Sequence, residues 1–227
     1  MRGRIREEKS MSIRSFMMAK FYDASMRAME EAGLASWRSE LLSCTHGNVL
    51  EIGSGTGANL QYYPDSLESL VVTEPDPHML TILRENIANH SGNIRAERFN
   101  ANDLQFLDDS FDTVVSTLVL CSVDSPEDTL NEIRRVLKPG GQLVFIEHVI
   151  AKETPKLIKW QKFFQPFWIY MCGNCHLTRD TEILISNAGF CFSKIDKLRS
   201  SGGPPIVSPT IKGIAINTTD QTCESGT

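Results

Sequence analysis

Three glycines at alternate positions, Gly53, Gly55 and Gly57, follow directly on the apolar residues Val49, Leu50 and Ile52. This pattern constrains the chain more than any other. A short apolar run, closely spaced glycines and then residues able to start a helix read as a buried strand, a tight turn and a helix N-terminus. Glycine accepts φ > 0 in such a turn, and a Cβ there would hold a ligand away from the backbone. The turn therefore reads as a seat for a small molecule at the carboxyl end of a strand, where open α/β sheets bind their ligands.

Gly53-x-Gly55-x-x-Ala58 also fits a dinucleotide fingerprint, so the glycines alone leave a nicotinamide cofactor open. Two features favour S-adenosylmethionine. Glu51, two residues before the first glycine, can anchor the turn and meet a ligand ammonium, whereas a pyrophosphate gains little from an acid there. A Pro-Gly-Gly element, Pro139–Gly141, lies downstream. Glu74 ends a second strand 23 residues after Glu51, close to the spacing at which an acid meets a ribose diol. Asp76 reads as an N-cap with Pro77 at N1, which puts Met79 in the first helical turn, against an adenine face or in the core. Asn100, Ala101 and Asn102 end a third strand, with side-chain amides and a backbone N–H suited to adenine, or a plain polar turn. Thr117 and Leu118, near the end of the central strand, fall beside the methionine portion. Tyr22 either packs or closes over the cofactor.

At 227 residues the chain reads as one domain able to bury its own core. A net charge of −5 argues against a broad nucleic-acid surface. Six cysteines without a signal peptide read as reduced thiols, no apolar run reaches the length of a membrane span, and the expected location is cytoplasmic. Five strands alternate with helices, and two final strands have no helix between them. The expected fold is α/β, a Rossmann-like, mostly parallel seven-stranded sheet with helices on both faces and an antiparallel terminal strand. An N-terminal helical cap is expected over 1–45, with Gly33 ending its first helix. The ligand-binding domain spans 46–217 and a polar tail 218–227. Within the domain, 151–180 form an insertion in which Lys156, Lys159 and Lys162 interleave with seven apolar residues between Leu157 and Trp168. It reads as a lid whose aromatic face roofs an apolar pocket, with Pro166 limiting its length, or as a peripheral membrane contact through 156–168.

His148, ending the fifth strand, and His176 are candidates to border an acceptor and assist its deprotonation; each also reads as a structural histidine. Cys172-Gly-Asn-Cys175-His176 matches a haem-attachment pattern, but no export signal accompanies it, and one CxxC does not complete a zinc site. No metal is expected.

With these pieces assembled, the chain resembles class I S-adenosylmethionine-dependent methyltransferases. The residues that carry the resemblance are EIGSGTG, Glu74, LDDSFDTVVSTLVL and IRRVLKPGG, spanning Val49–Val149. Within that superfamily it is similar to the mammalian methyltransferase-like thiol S-methyltransferases, through STLVLCSV, Glu147-His148-Val149 and Cys175–Arg179. Those relatives carry an apolar N-terminal membrane segment for which no counterpart is read here. The general pattern is also similar to ubiquinone/menaquinone C-methyltransferases and phosphatidylethanolamine N-methyltransferases. The resemblance implies cofactor roles for Glu51, Gly53, Gly55, Gly57, Glu74, Asn100, Ala101, Thr117 and Leu118, and a small-molecule methyl acceptor with a thiol first. It leaves open a quinone or phosphatidylethanolamine acceptor, or a module that binds the cofactor without transferring its methyl group.

Overall fold

A computed structural model describes residues 23–90 and 92–218. Its strands are β1 (Asn48–Ile52), β2 (Ser69–Thr73), β3 (Ile94–Glu97), β4 (Phe111–Thr117), β5 (Leu137–His148), β6 (Phe190–Arg199) and β7 (Pro209–Asn217). They form one sheet in the order β3-β2-β1-β4-β5-β7-β6. β1 to β5 pair in parallel, and β7 runs antiparallel to both β5 and β6. The fold is thus the expected Rossmann-like one. Its antiparallel strand is terminal in the chain but lies inside the sheet.

The chain winds outward from β1 to β3, then returns to lay β4 on the other side of β1. The crevice at the carboxyl ends of β1 and β4 is the switch point of the topology.

Alternation along the strands explains why helices cover both faces. Leu50, Val114, Leu143 and Phe145 join one core with Leu130, Ile133 and Val136 of helix α3 (Pro126–Val136) and Ile185 of α5 (Thr181–Asn187). Val49, Val115, Val144 and Ile146 join the other with Leu41 and Leu42 of α1 (Ala35–Leu42) and Leu80 and Leu83 of α2 (Pro77–Ile87). Residues one apart on a strand point to opposite faces, so each strand feeds both cores. α2 begins as expected: Asp76 accepts the N–H groups of His78 and Met79, with Pro77 in the first turn.

Four expectations are corrected. Helical residues 23–42 run through a π-type turn, Glu30–Leu34, in which Gly33 has φ 135° and kinks the helix instead of ending it. The helix expected after the glycine turn shrinks to a single 3-10 turn, Leu60–Tyr62, because Asn59 and Tyr63 are pulled inward by Glu51. Helix α4 (Pro155–Met171) continues past Pro166, which lies on its exposed side. Cys191 is disulfide-bonded, while Cys44, Cys121, Cys172 and Cys175 are free thiols. Tyr22, the first part of the helical cap and residues 219–227 lie outside the described residues. No helix among the described residues is long and apolar enough to cross a membrane.

Candidate functional site

The carboxyl ends of β1 to β4 bring the predicted cofactor residues to one edge of the sheet. Gly55 donates its N–H to Glu74 Oε2 at 2.9 Å, and Asp76 donates to Glu74 Oε1 at 2.8 Å. One carboxylate thus ties the glycine turn to the start of α2. Burial, only partly offset by these two N–H groups, keeps the Glu74 carboxyl above the usual range. The other two glycines also have a packing role. A Cβ on Gly53 would come within 2.8 Å of Val119, and one on Gly57 within 2.7 Å of Leu60. At these two positions the missing Cβ lets protein segments close on each other.

Glu51 is buried, with one protein donor on each carboxylate oxygen. Asn59 Nδ2 donates to Oε1 at 3.0 Å and the Tyr63 hydroxyl to Oε2 at 2.6 Å. Asn59 also donates to Thr117 Oγ1 at 3.1 Å and accepts from Arg38 at 2.6 Å, and Arg38 pairs with Glu30 at 3.0 Å. Burial pushes the Glu51 carboxyl up, against the pull of Tyr63 and Asn59. The anchoring role expected of Glu51 is therefore met by protein partners at both oxygens. Arg38, Asn59 and Tyr63 gave no local sequence signal.

Of the remaining cofactor candidates, Met79 is half-buried in the first turn of α2, and Ala101 is buried between exposed Asn100 and Asn102. The Asn100 carbonyl accepts the Asp103 N–H at 3.0 Å, closing a turn beyond β3. Leu118 adopts φ 59°, a left-handed conformation costly for a branched side chain.

The strain at Leu118 is held by a residue that the sequence reading left without a role. Glu147, completely buried in β5, accepts from Ser116 Oγ (2.8 Å) and the N–H groups of Val119 (3.0 Å), Leu120 (3.0 Å) and Cys121 (3.2 Å). Arg179 adds donations to the Leu120 and Val123 carbonyls at 2.7 and 2.8 Å. The loop after β4 is fixed from both sides. The sequence signal was an acid inside the apolar run LVFIEHV, where a carboxylate needs several donors.

That loop delivers Cys121 to a cluster at the end of β5. His148 Nε2 lies 2.7 Å from Cys175 Sγ, and Cys175 Sγ lies 3.9 Å from Cys121 Sγ. The Cys121 thiol beside Cys175, helped by His148, brings Cys175 down to about 4 despite its burial. Cys121 is correspondingly pushed well above an ordinary thiol, through Cys175 first and burial second. Burial pulls His148 down, but the neighbouring Cys175 outweighs it and the net shift is upward. The arrangement is a direct contact of an imidazole and a thiol with a second thiol alongside, and the directions of the shifts favour charge separation between Cys175 and His148. His148 and His176 therefore separate: His176 gives its backbone N–H to the Cys121 carbonyl at 2.8 Å, and its ring is lowered by burial.

Two sulfurs and an imidazole nitrogen within 4.8 Å of one another are also donors that zinc accepts. Metal arms of about 2.3 and 2.0 Å would hold nitrogen and sulfur roughly 3.5 Å apart in a tetrahedral site. The 2.7 Å separation of His148 and Cys175 is that of a direct pair.

The residues fit S-adenosylmethionine in donor chemistry. Each Glu74 oxygen holds one backbone N–H, which leaves acceptor capacity for a ribose diol. A separate cleft of about 260 Å³ lies on the outer side of the turn, against Asp23, Met26 and Arg38, and shares only Gly57 with the predicted set.

Comparison with known proteins identifies the family and the fold. The family model described as a methyltransferase domain matches residues 50–145. Thiol S-methyltransferase TMT1B of Homo sapiens is 38% identical over 217 residues, covering 88% of this chain and 84% of that protein. Thiol S-methyltransferase TMT1B of Rattus norvegicus is 42% identical over 146 residues, 63% of this chain and 59% of its own length, so the match spans less than two thirds of that relative. Among solved structures, the N-methyltransferase NodS from Bradyrhizobium japonicum WM9, in complex with S-adenosyl-L-homocysteine, superposes with a TM-score of 0.62 at 18% identity, covering 83% of this chain and 87% of that one. That likeness is one of fold.

Proposed function

Because the chain belongs to the family of S-adenosylmethionine-dependent methyltransferases, we propose that it methylates the sulfur of a small apolar thiol. The observation that carries the thiol is the pair formed by His148 and Cys175, with Cys121 beside it. Such a site can exchange one thiolate for another.

In this reading the carboxyl ends of β1 to β4 would hold S-adenosylmethionine, which when bound would supply an electrophilic methyl group. Glu74 would accept from the ribose hydroxyls, while Asn100 and Ala101 would border the adenine. Thr117 and Leu118 would flank the methionine portion. Glu51 acts at one remove, by holding Asn59 and Tyr63.

The acceptor thiol enters beside His148. Its S–H proton passes to the Cys175 sulfur, which leaves the acceptor thiolate next to the His148 imidazolium. The two sulfurs exchange as partners of one cation, so the transfer costs only the difference in their stabilisation. That thiolate would be the nucleophile for the sulfonium methyl group, whose thioether would leave without needing an acid, and the proton on Cys175 would return to solvent. Glu147 and Arg179 contribute by fixing the loop that carries Leu118 and Cys121, since alignment in such a displacement supplies much of the rate.

The test is methyl transfer from labelled S-adenosylmethionine to a panel of alkyl and aryl thiols, phosphatidylethanolamine vesicles, quinol precursors and small amines. Label in thioethers alone supports the proposal. Label confined to a lipid amine, a quinol or a small amine overturns the thiol assignment. His148→Asn separates a catalytic from a structural histidine: its kcat/KM for a thiol is expected to recover as pH rises past the acceptor's own pKa. A uniform loss at every pH would mean that His148 only supports the fold.

A further inference from the structure

Helix α4 is apolar on the face it turns outward as well as on the face it packs inward. Gln161 is completely buried. It accepts the Ala151 N–H at 2.9 Å and donates to the carbonyls of Val149 (3.1 Å) and Ile206 (3.0 Å). Gln165 accepts from the N–H and hydroxyl of Thr178 at 3.0 and 2.7 Å. The helix is thus fastened to the domain by two amides set among the partly buried Leu157, Ile158, Trp168 and Ile169. Its opposite face presents Trp160 (56% exposed), Phe163 (72%), Phe167 (61%) and Tyr170 (66%) to the outside, with Phe164 and Met171 beside them. These residues recur at intervals of three and four and share one face. Trp160 stacks on Phe164 at 5.8 Å, and Phe163 meets Phe164 edge-on at 5.1 Å. The aromatic face expected to roof a pocket points outward instead.

We propose that this face of α4 docks on the surface of an anionic phospholipid bilayer, lying in the interface without crossing it. The choice of partner rests on charge. The helix sequence PKLIKWQKFFQPFWIYM holds three lysines and no acid, in a chain whose net charge is −5. Lys156, Lys159 and Lys162 are exposed, and among the described residues none of them pairs with an acid. A cationic aromatic helix on an acidic protein binds an anionic surface in one orientation, with the aromatics at headgroup depth and the rest of the molecule held away. Geometry gives the contact a use. The chain leaving α4 turns through Cys172–Arg179 and delivers Cys175 to His148, so the acceptor side of the candidate site adjoins the docked helix. The inference stands on the helix and is independent of which acceptor is methylated.

The experiment is co-sedimentation of the full chain with vesicles of phosphatidylcholine alone or mixed with phosphatidylserine, at low and high salt. The variants are Lys156→Gln/Lys159→Gln/Lys162→Gln and Trp160→Ser/Phe163→Ser/Phe167→Ser. Urea midpoints and S-adenosylhomocysteine titrations show that each variant is folded. Binding is expected only with phosphatidylserine present, and it should weaken with salt. The lysine variant should lose about a hundredfold in partitioning, from roughly fivefold per lysine near such a surface. The aromatic variant should lose at least about tenfold. Binding that ignores phosphatidylserine, or that both variants retain, overturns the proposal. So does a reversible dimer that the aromatic variant abolishes without any vesicle binding, because a second copy would then cover the face.

Discussion

Replacing Glu147 by Gln tests whether the loop after β4 is held by one buried carboxylate. Three of its four donors, Ser116 Oγ and the N–H groups of Val119 and Leu120, point at Oε1, and the Cys121 N–H points at Oε2. An amide oxygen at Oε1 keeps those three partners but without the charge. Hydrogen bonds to a charged group contribute about 1.5–3 kcal/mol against about 0.5–1.5 for neutral ones, so roughly 1 kcal/mol is lost at each. At Oε2 the new NH₂ faces the Cys121 N–H donor to donor, leaving a buried donor unmet at a further cost of about 1–3 kcal/mol. Against this, the variant no longer buries a charge, and burial already holds Glu147 above the usual carboxyl range. The balance is a destabilisation of about 2–4 kcal/mol. Urea unfolding followed by tryptophan fluorescence measures it. Because Leu118 keeps its left-handed conformation only while the next three N–H groups are held, kcat/KM should fall at least about tenfold, with a smaller change in S-adenosylhomocysteine affinity. A variant as stable and as active as the parent would refute the idea that Glu147 shapes the loop.

Two further outcomes follow from the site. Cys175, brought down to about 4 by Cys121 first and His148 second, should react with iodoacetamide at a rate nearly flat from pH 6 to 9. An ordinary thiol slows about tenfold per unit below about pH 8. Peptide mass spectrometry reads the rates, and a Cys175 rate that climbs through pH 8–9 contradicts the pair. The sign for stability is that of a depressed acid: the contribution is greatest above the ordinary thiol pKa and is lost as pH falls toward 4. Separately, Glu74→Gln should weaken S-adenosylhomocysteine binding by about ten- to a hundredfold in a calorimetric titration, the loss of one to two charged hydrogen bonds. Unchanged affinity would remove Glu74 from the ribose.

What the sequence made legible was the chemistry that is local. The strand, the glycine turn, the Asp76-Pro77 cap and the acid at Glu74 each lie within a few residues of their partners or at a strand end fixed by topology. The packing role of Gly53 was not legible, because Val119, which fills the space beside it, lies 66 residues away. The missing helix after the turn has the same origin: Asn59 and Tyr63 follow a helical pattern locally, but buried Glu51 claims both side chains. Cys121, His148 and Cys175 come from three separate segments, and only the packing of the chain after α4 brings them together. In α4 the periodicity is plain, but periodicity does not say which face turns inward. Gln161 and Gln165 decide it by satisfying backbone groups that an apolar side chain would leave unmet.

Methyl transfer to an aryl thiol, measured against the matching phenol and benzyl alcohol under identical conditions, decides whether sulfur is the acceptor atom. The parent protein is offered labelled S-adenosylmethionine with each acceptor in turn, and the product is identified by mass. A thioether is expected from the thiol and no ether from either oxygen analogue. Cys175→Ser, still binding S-adenosylhomocysteine, should make the thioether markedly more slowly below the acceptor's pKa. Equal transfer to the oxygen analogues, or no thioether from a protein that binds the cofactor normally, would contradict it.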